Sequence, residues 1–513
     1  MSTKNLAIRS VFSNWVGRAC AIVITFFLTP FVVHTLGDES YGVWAILMSF
    51  TSYYALADMG VRAAAVKYIS QYVGKDDRES TSKIVITTLF VYLAISTCLS
   101  LVVVLIACVF PYVIELSEAT PATVRWVILL SGGAVAVQFF GQVFSATLHA
   151  YQRFDLTNVV SICSQLIKAV AYVAVLNAGF GLVGMAVVTL AATVIAQFCL
   201  ATFAIRLLGG LPFSKRYFDR EMLKLVFGFA GTSFLTNTAR RFTQYFGTII
   251  IGVIYGPAAV AFYAIPESLS RHALSFSKGV TSVIDPLASQ LESQGRQKSL
   301  VKLLIIAPRF LLAYSLSVAV LFVTHGKQFV GFWIGPEYAA ESYPVLCILS
   351  FSIVARVTSG PLRSLLRGMA KLKVLAVTAV LEMAITLVAG PCLAYQLGLT
   401  GMAWAILLAQ ALVGTIVLPL HCCHVLKFSV RDFFQSILWQ PLGVAFVSLV
   451  FAVSFVWIFP TSGLYPHIFQ MGLVALVSAA ATFLFCIDRS QKKDVLGSVF
   501  QRLKRKTIPV RGS

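Results

Sequence analysis

The chain has 513 residues, of which 58% are hydrophobic and 12% charged, at a mean hydropathy of +0.85. A soluble globular chain carries roughly a quarter charged residues, so this composition excludes a soluble enzyme. Lys and Arg number 40 against 20 Asp and Glu, a net charge of +20; in so apolar a chain that excess points to cytoplasmic loops on a membrane, not to nucleic acid.

Taken in chain order, apolar runs between polar breaks predict fourteen transmembrane helices, near residues 8–35, 41–72, 82–111, 122–150, 155–177, 181–208, 223–254, 257–290, 299–325, 340–370, 372–396, 399–426, 431–459 and 464–487. Each exceeds the about 20 residues needed to cross the hydrocarbon, and the longest are expected to tilt. The first run follows only Lys4 and Arg9 and continues past Leu28 without a small-residue cleavage pattern, so it reads as a retained helix. Cys20, Cys98, Cys108, Cys163, Cys199, Cys347, Cys392 and Cys486 lie inside apolar runs with no paired spacing, as small hydrophobes do.

The basic residues orient these runs. Twenty-nine of them fall in the N-terminus, every second connection and the tail, whereas the alternate connections contain only Lys327. This partition predicts both termini in the cytoplasm and an even number of spans. Ten basic residues remain inside helices: Arg18, Arg62, Arg125, Lys168, Arg240, Arg241, Arg271, Lys278, Arg309 and Arg356.

An offset of 219 residues superposes one half of the chain on the other. Gly37 then meets Gly256, Ala45-Ile46 meets Ala264-Ile265, Gly60-Val61 meets Gly279-Val280, Ser70-Gln71 meets Ser289-Gln290, and Gly141 meets Gly360. At an offset of 217, Gly181-Leu182-Val183-Gly184-Met185-Ala186 meets Gly398-Leu399-Thr400-Gly401-Met402-Ala403. The reading is an all-α polytopic membrane protein with two six-helix lobes, residues 1–210 and 211–426. Helices 13 and 14 follow at 427–487, and a basic cytoplasmic tail at 488–513. Six spans is an even number, so the lobes are parallel repeats about an axis along the membrane normal.

A charge inside the bilayer by default faces a bundle interior or a water-filled cavity. At 100° per residue, Glu267, Arg271, Lys278 and Asp285 form one stripe on the eighth predicted helix, and Asn237, Arg241, Gln244 and Thr248 another on the seventh, with Arg240 beside it. Asn14, Arg18, Thr25 and Thr29 form a milder stripe on the first helix; Thr51, Asp58 and Arg62 form one on the second. The repeat makes these four helices equivalent, as expected if the stripes line one cavity between the lobes. Two readings stand. In one, Asp58 with Arg62 and Glu267 with Arg271 are i,i+4 ion pairs with a structural role only. In the other, the surplus of six cations over three anions among Arg18, Asp58, Arg62, Arg240, Arg241, Glu267, Arg271, Lys278 and Asp285 binds a phosphate or carboxylate. His421-Cys422-Cys423-His424 resembles a metal site only in letters, since adjacent helical residues point apart. Asp76-Asp77 reads as a solvated turn. His149 and His272 are either proton carriers or interior histidines. In the tail, Val495, Val499 and Leu503 amid basic residues read either as an amphipathic helix on anionic lipid or as a solvated segment.

The segment Leu36-Gly37-Asp38-Glu39-Ser40-Tyr41-Gly42-Val43-Trp44-Ala45, followed by Ala57-Asp58-Met59-Gly60-Val61-Arg62, resembles the start of bacterial polysaccharide flippases. There a Leu-Gly-x-x-x-Tyr-Gly turn precedes a Leu-x-Asp-x-Gly kink, the Leu of the kink being here Leu56 or replaced. The duplicated lobes with two extra helices are similar to the oligosaccharidyl-lipid and polysaccharide branch of the multidrug exporter superfamily. The resemblance implies movement of an undecaprenyl-pyrophosphate-linked oligosaccharide repeat unit (O-antigen, capsule or exopolysaccharide) across the cytoplasmic membrane by alternating access, without covalent catalysis or cofactor. It places Arg18, Arg62, Arg240, Arg241 and Arg271 on the pyrophosphate; Lys278 joins them from the charged stripe. Asp58 and Glu267, each beside an Arg inside a span, are the expected ion-coupling sites. Expected partners are the lipid-linked anionic oligosaccharide, membrane lipids, and a polysaccharide polymerase with its chain-length machinery. Two alternatives stay open: a drug exporter of the same superfamily, for which a net cationic cavity suits cationic drugs poorly, and a membrane-embedded polymerase, which needs a larger exterior segment than the chain has.

Overall fold

The computed structural model describes residues 3–110, 120–210, 217–228, 231–459 and 463–486, with side chains described except at 3–19, 50, 52–56, 226–228, 231–234, 282, 283 and 286. Among the described residues every regular element is helical. In order these are α1 (Thr3–Leu36), α2 (Asp38–Tyr54), a 3₁₀ turn (Ala55–Asp58), α3 (Val61–Gly74), α4 (Arg78–Val109), α5 (Pro121–Phe140), α6 (Gln142–Ala150), α7 (Phe154–Asn177) and α8 (Gly181–Leu208). There follow α9 (Arg220–Gly228), α10 (Gly231–Ser293), α11 (Gln297–Trp333), α12 (Pro336–Gly368), α13 (Leu372–Leu397) and α14 (Leu399–Ala411). A π turn (Leu412–Val417), α15 (Leu418–Val425), α16 (Val430–Ile458) and α17 (Leu464–Cys486) complete the order.

All fourteen predicted runs fall on helix, but only eleven helices among the described residues are long and apolar enough to cross a membrane. Three places account for the difference. The first run contributes only the shorter apolar piece Cys20–Leu36. The second, expected as one helix over 41–72, is broken where Met59 (φ 45°) and Gly60 (φ 84°) turn left-handed, so its halves are too short. The seventh and eighth are joined into α10, which carries a non-helical break at Gly256 (φ 80°, ψ 173°). Large apolar side chains such as Val170 and Phe198, each 72% exposed, stand on the outside of these helices. In water they would be a liability; in lipid they are the expected surface. The chain is a multi-pass membrane protein.

Gly37 and Gly256, which the 219-residue offset pairs, have φ of 78° and 80°. At Gly37 the turn is closed by the Gly37 N–H to Val33 O (2.9 Å) and by the Tyr41 N–H to Gly37 O (3.0 Å), so α1 passes into α2 within one residue. Five residues on, a Cβ added at Gly42 would lie 1.7 Å from the carbonyl oxygen of Pro257. Both groups belong to backbone, so neither rotates away. Gly42→Ala is therefore expected to cut accumulation of folded protein severalfold, measured as the monodisperse fraction after detergent extraction; Gly443→Ala, where an added Cβ meets nothing within 4 Å, serves as control.

Packing groups the chain into two compact units, Met1–Ser268 with Leu372–Ile406, and Leu269–Lys371 with Leu407–Ser513. The lobe boundaries expected at 210 and 426 follow from the repeat and are a separate description. In the first unit Val61, Ala64 and Ile69 of α3 pack with Ile84 and Tyr92 of α4, Val143 and Leu148 of α6 and Ala204 of α8. There too the limbs of α10 fold against one another, a Cβ at Gly247 meeting the Tyr263 hydroxyl at 2.5 Å. In the second unit α11 holds the α16–α17 hairpin: Ala313 packs with Val444, Ala481 and Cys486. Polar bonds fasten it, from Arg309 Nε to Ser436 O (2.8 Å), from Ser478 Oγ to Ser448 Oγ (2.8 Å), and between His467 Nε2 and His325 O (3.1 Å). Buried in hydrocarbon, such bonds fix helix register because water cannot replace them.

Candidate functional site

One cluster of polar groups in the first unit lies around the break in the second predicted helix. Asp58 ends the 3₁₀ turn and accepts a 2.6 Å hydrogen bond from the buried Tyr92 hydroxyl on α4, and a longer one (3.4 Å) from the Arg62 backbone N–H. The Arg62 side chain goes elsewhere: Nη2 donates to Ser145 Oγ at 3.0 Å and lies 3.4 Å from His149 Nδ1, both on α6. An i,i+4 ion pair of Asp58 with Arg62 is thus not formed among the described residues. The reason lies in the backbone, because two left-handed residues between them remove the helical turn that would stack the side chains. Since a guanidinium can only donate, His149 Nδ1 is the acceptor, which leaves Nε2 to carry the ring proton, 3.4 Å from Thr157 Oγ1. Phe154 covers the ring at 4.7 Å between centroids. This layer ties α3, α4, α6 and α7 together.

Arg240 and Arg241 are half-buried on the first limb of α10. Glu267, on the second limb and only 8% exposed, accepts a 2.9 Å hydrogen bond from Thr248 Oγ1 of the first. On α13 a further acid, Glu382, is 3% exposed. In the second unit Arg271 is half-buried and Lys278 exposed, both on α10. Asp285, placed by periodicity on their stripe, instead pairs with Arg367 of α12 at 2.8 Å. Asp285 is thus committed to a partner outside the stripe on which its spacing placed it. Arg18 lies on α1, where side chains fall outside the described residues.

Sequence reasoning missed Tyr92, Ser145 and Thr157 as site neighbours and Glu382 as a buried acid, whereas Thr248 was already on the polar stripe of the seventh predicted helix. Tyr92 is 34 residues from Asp58 and had no local signal. Glu382 had one, as the single acid in the run 372–396, and an ionisable residue inside a span is a functional candidate by default. In the connection ahead of α4, Asp76-Asp77 form the expected solvated turn, and Asp77 does more: Oδ1 caps the helix by accepting the Ser80 N–H at 2.9 Å, and that bond holds its carboxyl below the usual carboxylate range.

These elements make an all-helical, multi-pass membrane fold with half-buried cations on its helices, and comparison with solved structures agrees on the fold. The lipid II flippase MurJ in an inward closed conformation superposes with TM-score 0.71 at 14% identity, over 93% of this chain and 98% of that one. A multidrug resistance transporter of the MATE family and MOP superfamily, inward-facing, gives 0.67 at 15% identity, over 79% and 95%. In sequence, the uncharacterized membrane protein EpsK of Bacillus subtilis is 23% identical over 445 residues, 84% of this chain and 86% of that one. A Shigella flexneri protein provisionally named an O-antigen transporter is 21% identical over 344 residues, 66% and 78%. The profile of the polysaccharide biosynthesis protein family matches residues 7–292, more than half of the chain, and the chain belongs to that family.

Proposed function

We propose that this protein is a flippase that moves a lipid-linked oligosaccharide, joined to its carrier through pyrophosphate, from the cytoplasmic to the outer leaflet of the inner membrane. The observation that carries this reading is the excess of half-buried guanidinium groups inside the spans of a polysaccharide biosynthesis family member: Arg62, Arg240, Arg241 and Arg271. A pyrophosphate entering hydrocarbon must exchange its water for fixed donors, and planar guanidinium forks grip phosphate oxygens in pairs. Arg18 and Lys278 are the two further cations offered by the sequence for the same ligand. Nothing in this reading requires a covalent intermediate or a cofactor.

Reconstitution tests it. Vesicles containing the protein and a fluorescent undecaprenyl-pyrophosphate oligosaccharide should expose the label to an external quencher faster than protein-free vesicles; equal rates would remove the proposal. The orientation has its own check. A reporter active only in the cytoplasm should work when fused after Gly74, Phe213 or Gln491 and fail after Ser117 or Gly463. Activity at Ser117 would show that the charge alternation had been misread.

A further inference from the structure

On α7 a set of polar residues recurs that the cationic path above does not use. Ser161, Gln165, Lys168 and Tyr172 follow at spacings of 4, 3 and 4, within about 60° of one another around the helix. Two of them are satisfied locally: Gln165 Nε2 donates to Ser161 O (3.3 Å) and Oγ (3.1 Å), and the Tyr172 hydroxyl meets Thr189 Oγ1 of α8 at 2.7 Å. Lys168, half-buried, has neither an ion pair nor a hydrogen bond among the described residues. It stands 14 residues from Phe154 and nine from Asn177, about 21 Å and 14 Å along the helix. A lysine reaches an interface only when it lies near a helix end, and four methylenes do not bridge that distance. An ammonium left there needs an anion.

A second observation lies beside it. Between α7 and α8 runs an apolar groove of about 240 Å³, lined by Ile167, Cys163 and Val160 on one side and Ile195, Ala196 and Cys199 on the other. Its polar wall is Ser164, about 40° from Lys168 around α7, so the groove ends at the edge of the polar stripe. The space is below that of a whole small-molecule pocket and suits a stretch of hydrocarbon chain. The outer rims, Val159 and Ile195, are 56% and 52% exposed, so a chain can enter sideways from lipid.

Resting on the flippase reading above, we propose that Lys168 holds the pyrophosphate of an isoprenyl carrier, with the first units of its chain in the α7–α8 groove. By the charge alternation α7 starts in the cytoplasm, so this station lies past the middle of the span. It receives the head group on its way out, after the arginines of α10 have drawn it in. Anionic phospholipid offers a phosphate as well, but its head group stays at the interface, whereas the carrier's must cross the depth at which Lys168 stands.

The test uses the whole protein in phosphatidylcholine nanodiscs and a fluorescent C15 isoprenyl pyrophosphate. Lys168→Gln is expected to weaken binding about tenfold and Lys168→Arg to retain it, because one charge-assisted contact is lost or kept. Ala196→Phe, which fills the groove, should weaken isoprenyl pyrophosphate and leave inorganic pyrophosphate unchanged. A hundredfold excess of phosphatidylglycerol should not compete. Equal binding by wild type and Lys168→Gln overturns the assignment of Lys168 while leaving the flippase reading intact. Full competition by phosphatidylglycerol shows a bulk-lipid site and overturns it too. If wild type binds no isoprenyl pyrophosphate, both readings fall.

Discussion

Cells carrying Arg241→Ala together with Arg271→Ala are expected to display no surface glycan, although the protein still inserts and accumulates. Each arginine stands fifteen residues from Gly256, about 22 Å along its own limb of α10 and so inside the span toward its cytoplasmic side. At that depth water is scarce and an unpaired anion is prohibitively costly, so removing the donors raises the barrier to the pyrophosphate where no solvent can substitute. Each single alanine variant should lower export at least tenfold, since hydrogen bonds to charged groups are worth about 1.5–3 kcal/mol each. Lysine at either position should restore part of it, supplying charge without the planar fork. Arg505→Ala in the basic tail should be nearly silent. Wild-type surface glycan in the double variant would replace the anion path with a purely structural role for these charges.

Energy coupling carries the second large effect. The sequence has no Gly-x-x-x-x-Gly-Lys-Ser/Thr loop, so transport is expected to draw on an ion gradient or on the substrate gradient. Asp58 and Glu267 are the proposed sites, and each is an acceptor in a defined bond, from Tyr92 at 2.6 Å and from Thr248 at 2.9 Å. Adding a proton, or a cation, to either carboxylate changes an acceptor into a donor or occupies its lone pairs, so the bond to the neighbouring helix must rearrange. That rearrangement would link ion binding to helix movement. Asp58→Asn and Glu267→Gln keep size and remove the charge; together they should abolish the response of transport to a collapsed proton or sodium gradient and lower its rate more than tenfold. Tyr92→Phe, which leaves Asp58 in place without its hydroxyl donor, should weaken the response without removing it. Normal transport and an unaltered gradient response in both carboxylate variants would sink the assignment.

The sequence by itself determined the all-helical membrane class, the position of every apolar run, and the turn glycines at 37 and 256. These depend on quantities that are local along the chain: residue polarity summed over twenty positions, and a backbone angle that only glycine adopts without strain. The Gly-x-x-x-Tyr-Gly segment could likewise be recognised as a motif, but why Gly42 must be glycine became plain only with the Pro257 carbonyl against it. Helical spacing also put Arg241 and Thr248 on one face of a run, and Glu267 and Arg271 on one face of the next, because 100° per residue fixes direction around one axis. It does not fix which helix stands opposite. That choice was made by tertiary packing, which sends Arg62 to Ser145 and His149, Asp58 to Tyr92, and Asp285 to Arg367, and which buries Glu382. Periodicity did not show the break at Met59 and Gly60, since an apolar run reads the same whether its helix is whole or turned left-handed for two residues, but the Asp-x-Gly kink motif marked the place. A partner 34 or 83 residues away leaves no trace in a local pattern, so the site's hydrogen bonds were decided by the fold alone.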